Sequence, residues 1–137
     1  MNKLECLVLT QKEKDKLVAH AREQQPSESC AMLLGKKVGD TWNVKEVFLT
    51  QNIDNSQTNF TISPEELLKG YQLAEKMNLE LVGVFHSHPN SDATPSDTDR
   101  KFMQNNPVPW IIFSGVTNSL KVYLLDSDLV EISIKID

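Results

Sequence analysis

An apolar run that turns polar within a single residue constrains this chain more than any other feature. Leu81, Val82, Val84 and Phe85 have the make-up of a buried strand, and from His86 the sequence reads His-Ser-His-Pro-Asn-Ser-Asp-Ala-Thr-Pro-Ser-Asp-Thr-Asp. Side chains two apart on a strand point the same way, so His86 and His88 aim both imidazoles to one side if the extended geometry continues. Such a pair is a two-pronged clamp for a metal ion. Pro89 and Pro95 end the extended run and fix the path of the loop. Ser96-Asp97-Thr98-Asp99 then predicts a helix start, with Ser at the cap and an acid three residues on. That places Asp99 in the first helical turn, free to fold back toward the histidines.

The 137 residues are expected to form one domain, 1–137, with a core that needs no covalent staples. A net charge of -5 argues against nucleic acid or an anionic membrane as partner, since phosphates are held mainly by Lys and Arg patches. Met1-Asn2-Lys3 leads into a short mixed strand and not into an apolar leader. Cys6 and Cys30 are therefore expected to be two reduced thiols in a cytoplasmic protein. No apolar run approaches membrane-spanning length, and a soluble protein is expected.

Along the chain, Leu4 to Leu9 reads as a strand, and Thr10 with Glu13 as the capping box of a helix. Leu17, Val18 and Ala21 recur at helical spacing, with His20 expected at the surface or boundary. Gln25-Pro26-Ser27 ends that helix, and Glu28 stands at the mouth of a buried strand running to Gly35. Lys36 to Thr41 is expected to turn, Val44 to Leu49 to form a strand, and Gln51 to Thr58 a polar, Asn-rich loop. Phe60 to Ile62 reads as a short strand. Ser63-Pro64-Glu65-Glu66 predicts a second capping box, opening a helix to about Met77 whose core side is Leu67, Leu68, Tyr71, Ala74 and Met77. Leu79 to Phe85 is the central strand, and Trp110 to Phe113, Leu120 to Leu125 and Val130 to Ile136 are three more. Strands and helices mix without regular alternation, which predicts an α+β fold or three-layer sandwich over a doubly wound sheet.

Two histidines and one aspartate make three ligands, and three protein ligands leave a coordination position for water, as in catalytic zinc sites. Zinc lowers the pKa of that water from about 15.7 toward roughly 7. A general base is then needed near the water but off the metal, and Glu28 is the candidate. Ser96 offers a hydroxyl to the oxyanion of a tetrahedral intermediate. Blander roles compete: a hydrogen-bonded turn for His86 and His88, plain capping for Ser96 and Asp99, a surface acid for Glu28. Cys30, with no basic neighbour in sequence, is expected to be a core residue, as are Met32 and Met103. Asp92 and Asp97 are expected to be solvated loop acids.

His86-Ser87-His88-Pro89 followed by Ser96-x-x-Asp99 resembles the metal signature of the JAMM (MPN-plus) metalloproteases, His-x-His-x10-Asp, in full. Pro26-x-Glu28-x-Cys30 with Leu33-Leu34-Gly35 is similar to the family segment that bears the general-base glutamate, with Ala31 where the family often has glycine. Asn52 and Phe60-x-Ile62-x-Pro64 resemble its link into the central helix. The resemblance implies an α/β sandwich of the cytidine-deaminase-like type, a mixed twisted sheet flanked by helices. It also implies one Zn2+ bound by His86, His88 and Asp99, with Glu28 activating the water and Ser96 steadying the oxyanion.

The implied activity is hydrolysis of the bond between the C-terminal glycine of ubiquitin or a ubiquitin-like modifier and a lysine or other amine. The segment between Asp99 and Trp110 is short and lacks Cys and His, so it holds no additional zinc-bearing insertion. A compact prokaryotic member acting on ubiquitin-like or sulfur-carrier protein conjugates fits this best. Release of an amino acid such as cysteine from a sulfur carrier is the second enzymatic expectation, and a scaffold or binding domain of the same fold the non-enzymatic one. A DNA-associated relative is disfavoured by the acidic balance, and a nucleoside deaminase by the absence of Pro-Cys-x-x-Cys.

Overall fold

The computed structural model describes residues 5–137. Along the chain come β1 (Cys6–Leu9), α1 (Gln11–Gln24), β2 (Cys30–Val38), β3 (Thr41–Thr50), α2 (Pro64–Lys76), β4 (Glu80–His88), α3 (Asp97–Asn105), β5 (Trp110–Ser114), β6 (Leu120–Leu125) and β7 (Leu129–Ile136). Leu4, the expected start of the first strand, lies outside the described residues.

Side chains start the helices as their sequences predict. At α1, Thr10 Oγ1 accepts the Glu13 N–H at 3.0 Å and Glu13 Oε1 accepts the Thr10 N–H at 2.8 Å, which satisfies two of the backbone donors that a helix start leaves free. Leu17 and Ala21 are buried beneath it. His20 is buried too, at 7 % exposure, against the surface or boundary position expected for it. Its Nε2 lies 3.1 Å from the Cys30 carbonyl and 3.0 Å from the Thr50 carbonyl, so that nitrogen carries the proton and ties α1 to β2 and β3. At α2 only half of the expected box forms. Ser63 Oγ accepts the Glu66 N–H, but Glu66 Oε1 accepts from the Gln51 N–H at 2.8 Å and so anchors the helix to the end of β3.

The core side of α2 also differs from expectation. Gly70 and Ala74 are its buried residues, whereas Leu68 is 59 % and Tyr71 48 % exposed, with Leu67 and Met77 exposed as well. A Cβ on Gly70 would come within 2.4 Å of the Met32 sulfur, so close approach to β2 selects small side chains and turns the larger ones outward. Strand boundaries shift as well. β2 runs on to Val38, which narrows the expected 36–41 turn to Gly39-Asp40, where Gly39 has a φ of 59°. Residues 60–62 form no strand: Thr61 bonds on one side to the Ile53 N–H and to the Asn52 side chain, and no ladder joins them on the other.

The sheet is mixed, with strand order β1-β3-β2-β4-β5-β6-β7 closing back on β1. β1 lies parallel to both β3 and β7, and β4 parallel to β5, while the remaining neighbours are antiparallel. The class is thus mixed α+β, with a sheet that curls until it meets itself. Alternation along β2 divides the core. Ala31 and Leu33 join Leu7, Leu17, Phe85 and Phe113 under α1, Cys30 faces Phe60, Ile112 and Trp110 near α3, and Met32 and Leu34 meet Ala74 of α2. Burying each of the Leu, Ile, Phe and Met side chains among them stabilises the fold by about 1.5–3 kcal/mol. No helix among the described residues is long and apolar enough to cross a membrane.

Candidate metal centre

Strand geometry persists to His88, three residues past the expected end of β4 at Phe85, and this brings the two imidazoles together. His86 Nε2 and His88 Nε2 lie 3.1 Å apart, and Asp99 Oδ2 lies 3.0 Å from each. Asp99 arrives on the first turn of α3. Ser96 Oγ accepts the Asp99 N–H at 3.1 Å, and Asp99 Oδ2 accepts the Ser96 N–H at 2.9 Å. One capping box therefore both starts the helix and aims the carboxylate. Ser96 itself is exposed, and its hydroxyl proton remains available to a further acceptor.

The donor set fits a cation. His88 Nδ1 lies 2.7 Å from the Asp92 carbonyl, which can only accept, so Nδ1 holds the ring proton and Nε2 of the neutral ring presents a lone pair. That outer partner is of the kind that orients metal-binding histidines. Nε2 of both rings and Asp99 Oδ2 then form a triangle of electron-rich atoms, all buried. A tetrahedral zinc about 2.0–2.1 Å from each donor separates its donors by roughly 3.3 Å, within a few tenths of the spacing found here.

Burial and neighbours set the charges. Desolvation pushes the His86 pKa down, against the pull of Asp99. For His88 burial works downward too, but the Asp99 carboxylate and Asp92 carbonyl outweigh it and the pKa rises. Burial works to raise Asp99, yet the His86 and His88 imidazoles beside it hold its carboxyl far below the usual range. Among the described residues His86 Nδ1 has no hydrogen-bond partner. Its ring is held by aromatic contacts instead, stacked on Phe60 at 5.0 Å and 28° and met edge-on by Trp110 at 5.7 Å and 80°.

Glu28 belongs to the same region. β2 and β4 are antiparallel with Cys30 opposite His86, and the next rung joins Ser29 to Ser87. Glu28 lies one residue beyond, outside the ladder but near enough to His88 and Asp99 for both to act on its carboxyl. Its side chain is buried, and among the described residues Oε1 has no hydrogen-bond partner. Burial pushes its pKa up to about 8, with His88 opposing and Asp99 reinforcing the shift. Cys30, also raised by burial, to about 11, is an inert core thiol as expected. Both cysteines are free.

All five residues singled out in the sequence thus lie in one neighbourhood. Sequence reasoning gave no role to Ser29, Ser87 or Trp110, nor to the Asp92 carbonyl, and treated Asn52 and Phe60 only as parts of a connecting segment. The repeated serine directly before Cys30 and between the histidines was the one available signal for the Ser29–Ser87 pair. Beside His86 opens an apolar groove of about 230 Å³, lined by Phe60, Ile62, Leu67, Tyr71, Phe102 and Trp110. A larger cleft of about 560 Å³ between α1 and the β5–β7 region holds none of the site residues.

Residues 10–125 match the sequence profile of the prokaryotic homologs of the JAB domain. The chain belongs to this family, the prokaryotic branch of JAMM/MPN proteins. Among its relatives, a protein of Pyrococcus furiosus named desampylase is 41 % identical over 85 residues, 62 % of this chain and 58 % of that protein. The CysO-cysteine peptidase of Mycobacterium tuberculosis is 31 % identical over 98 residues, 72 % of this chain and 66 % of the other. The matched segments thus span less than two thirds of either relative's length. A Desulfitobacterium hafniense protein known from a solution structure superposes with a TM-score of 0.87 at 30 % identity, over 96 % of this chain and 92 % of its own. Within the JAB family frame, the His-x-His strand end and the Ser-x-x-Asp helix start of this chain carry the His86, His88 and Asp99 triangle.

Proposed function

We propose that this chain is a zinc-dependent isopeptidase, folded as one domain over residues 1–137 in the cytoplasm, that cuts a ubiquitin-like or sulfur-carrier protein from an amine. His86, His88 and Asp99 hold one ion. When bound, zinc supplies the Lewis acidity that polarises a carbonyl and makes water acidic near neutral pH. Glu28 takes the proton of the attacking water on its carboxylate and passes it to the departing amine, a role suited to a group whose proton affinity lies near the working pH. Ser96 donates its hydroxyl proton to the carbonyl oxygen as negative charge develops there. The apolar groove beside His86 offers a protein substrate a place to rest away from the reacting bond.

The observation that carries this assignment is the convergence of three electron-rich ligand atoms with a buried carboxyl whose Oε1 is unpartnered. It is supported by family membership and by relatives named desampylase and CysO-cysteine peptidase. The test is hydrolysis of a carrier–lysine conjugate by zinc-loaded native and Glu28→Gln protein. Cleavage by the native protein alone is expected; equal rates, or none with any conjugate, would remove the assignment. A second reading, release of cysteine from a carrier adduct, is favoured by the similarity to the CysO-cysteine peptidase. Preference for a carrier–cysteine adduct over the lysine conjugate would select it. A scaffold role requires that the purified chain hold no stoichiometric metal.

A further inference from the structure

Glu28 stands just outside the strand ladder, which begins at Cys30. Its main chain is held instead by the loop of residues 51–63. The Glu28 N–H donates to the Ser56 carbonyl at 2.7 Å, and the Glu28 carbonyl accepts from Asn52 Nδ2 at 3.0 Å. Asn52 is only 2 % exposed, although Gln51 and residues 53–55 around it are exposed. Its amide uses all of its hydrogen-bonding capacity. Nδ2 donates to the Glu28 and Asn59 carbonyls, and Oδ1 accepts the Asp54 and Thr61 N–H groups, at 2.9–3.0 Å. Two carbonyls face one end of the amide and two N–H groups the other, so its orientation is fixed: a flip would set donors against donors.

The partners of this one side chain lead to both halves of the metal centre. One is the main chain of Glu28. Two others, Asn59 and Thr61, flank Phe60, whose ring stacks on the His86 imidazole. From this geometry we propose that Asn52 is a positioning residue for the proposed hydrolysis, registering the Glu28 carboxyl and the Phe60 ring against the His86, His88 and Asp99 triangle. The inference rests on the assignment of Glu28 as proton acceptor. Asn52 touches no metal ligand, so it acts through these two neighbours and through nothing else in the site.

Asn52→Asp tests this directly. The variant keeps the two accepted bonds but sets an oxygen against the Glu28 and Asn59 carbonyls. Asn52→Leu, of similar shape and uncharged, removes all four bonds without adding charge. Each is measured for thermal unfolding, for zinc affinity by chelator competition, and for kcat and KM on whichever conjugate, carrier–lysine or carrier–cysteine, the native protein cleaves faster. The expected result is a folded protein with zinc affinity within about threefold of native, KM little changed, and kcat lower by at least tenfold. In a Glu28→Gln background the same substitution should lower the residual rate by less than threefold, because the two residues act as a unit. Native kcat in both variants, or kcat loss that multiplies in full with that of Glu28→Gln, would overturn the role of Asn52 while leaving Glu28 in place. Failure of both variants to fold would make Asn52 a structural staple and overturn it too. A fully active Glu28→Gln protein would overturn the Glu28 assignment first, and this one with it.

Discussion

Ser29 and Ser87 face each other across β2 and β4: the Ser29 N–H and hydroxyl both reach Ser87 Oγ at 2.9 Å, and the Ser87 N–H donates to the Ser29 carbonyl at 3.1 Å. Both residues are buried. This pair is the last rung before the two chains part, and the next residue on each side is Glu28 or His88. The serine contact thus carries β2 and β4 up to the site, and the loop of residues 51–63 completes the placement of Glu28 through the Ser56 carbonyl and the Asn52 side chain.

Replacing Glu28 by Gln should lower kcat on the preferred conjugate by about 10²–10⁴-fold, the usual worth of a positioned proton acceptor, while zinc binding survives. Steady-state kinetics alongside metal titration would separate the two effects.

The same carboxyl makes the metal-free protein pH-sensitive. The unfolded chain gives up this proton near the ordinary 4.5, whereas the folded one keeps it to about 8. The unfolded state therefore binds fewer protons between those values, so this group lowers folding stability progressively as pH rises from about 4.5 to about 8, with the loss complete above. Glu28→Gln should abolish that loss, gaining a few kcal/mol relative to native at pH 8.5 and almost nothing at pH 4. Urea unfolding of both metal-free proteins at the two pH values measures it.

Ser96→Ala removes the acceptor for the Asp99 N–H and the hydroxyl proposed to meet the substrate oxygen. A stability loss of about 0.5–2 kcal/mol is expected from the missing cap. The rate should fall by about 10–10³-fold, the larger value being that of a lost oxyanion donor. Ser96→Thr should keep most of both. Thermal melts and kcat read them independently.

Gly35 and Gly70 make a contrast that tests the fold itself. A Cβ on Gly35 would lie 1.8 Å from the Asn43 carbonyl oxygen, and backbone cannot yield, so Gly35→Ala should cost more than about 3 kcal/mol. At Gly70 the nearest atoms are the far end of the Met32 side chain, which can swing away. Gly70→Ala, aided by the helix preference of Ala, should change stability by less than about 1 kcal/mol. Denaturant melts of the two variants suffice.

The sequence made the convergence of His86, His88 and Asp99 legible for simple reasons. Strand period aligned His86 with His88, and the Ser-x-x-Asp cap fixed where Asp99 stands, both local rules that tertiary packing did not need to override. The misreadings are tertiary in origin. Counting apolar residues on α2 put Leu68 and Tyr71 inward, but the distance to β2 left room only for Gly70 and Ala74. Phe60 to Ile62 had strand composition, but the partners of Thr61 are the Asn52 side chain and the Ile53 N–H of a loop and not a strand. Closure of the sheet depends on β1 pairing with both β3 and β7, more than thirty and more than a hundred residues away, for which no local pattern exists.

Whether His86, His88 and Asp99 bind zinc is decided by the zinc content and affinity of the purified protein beside Asp99→Ala and His88→Ala. One tightly held ion per native chain is expected, with affinity falling by at least a hundredfold in each variant while the fold is retained. A native chain that takes up no stoichiometric zinc, or variants that bind it as tightly as the native protein, would contradict the account.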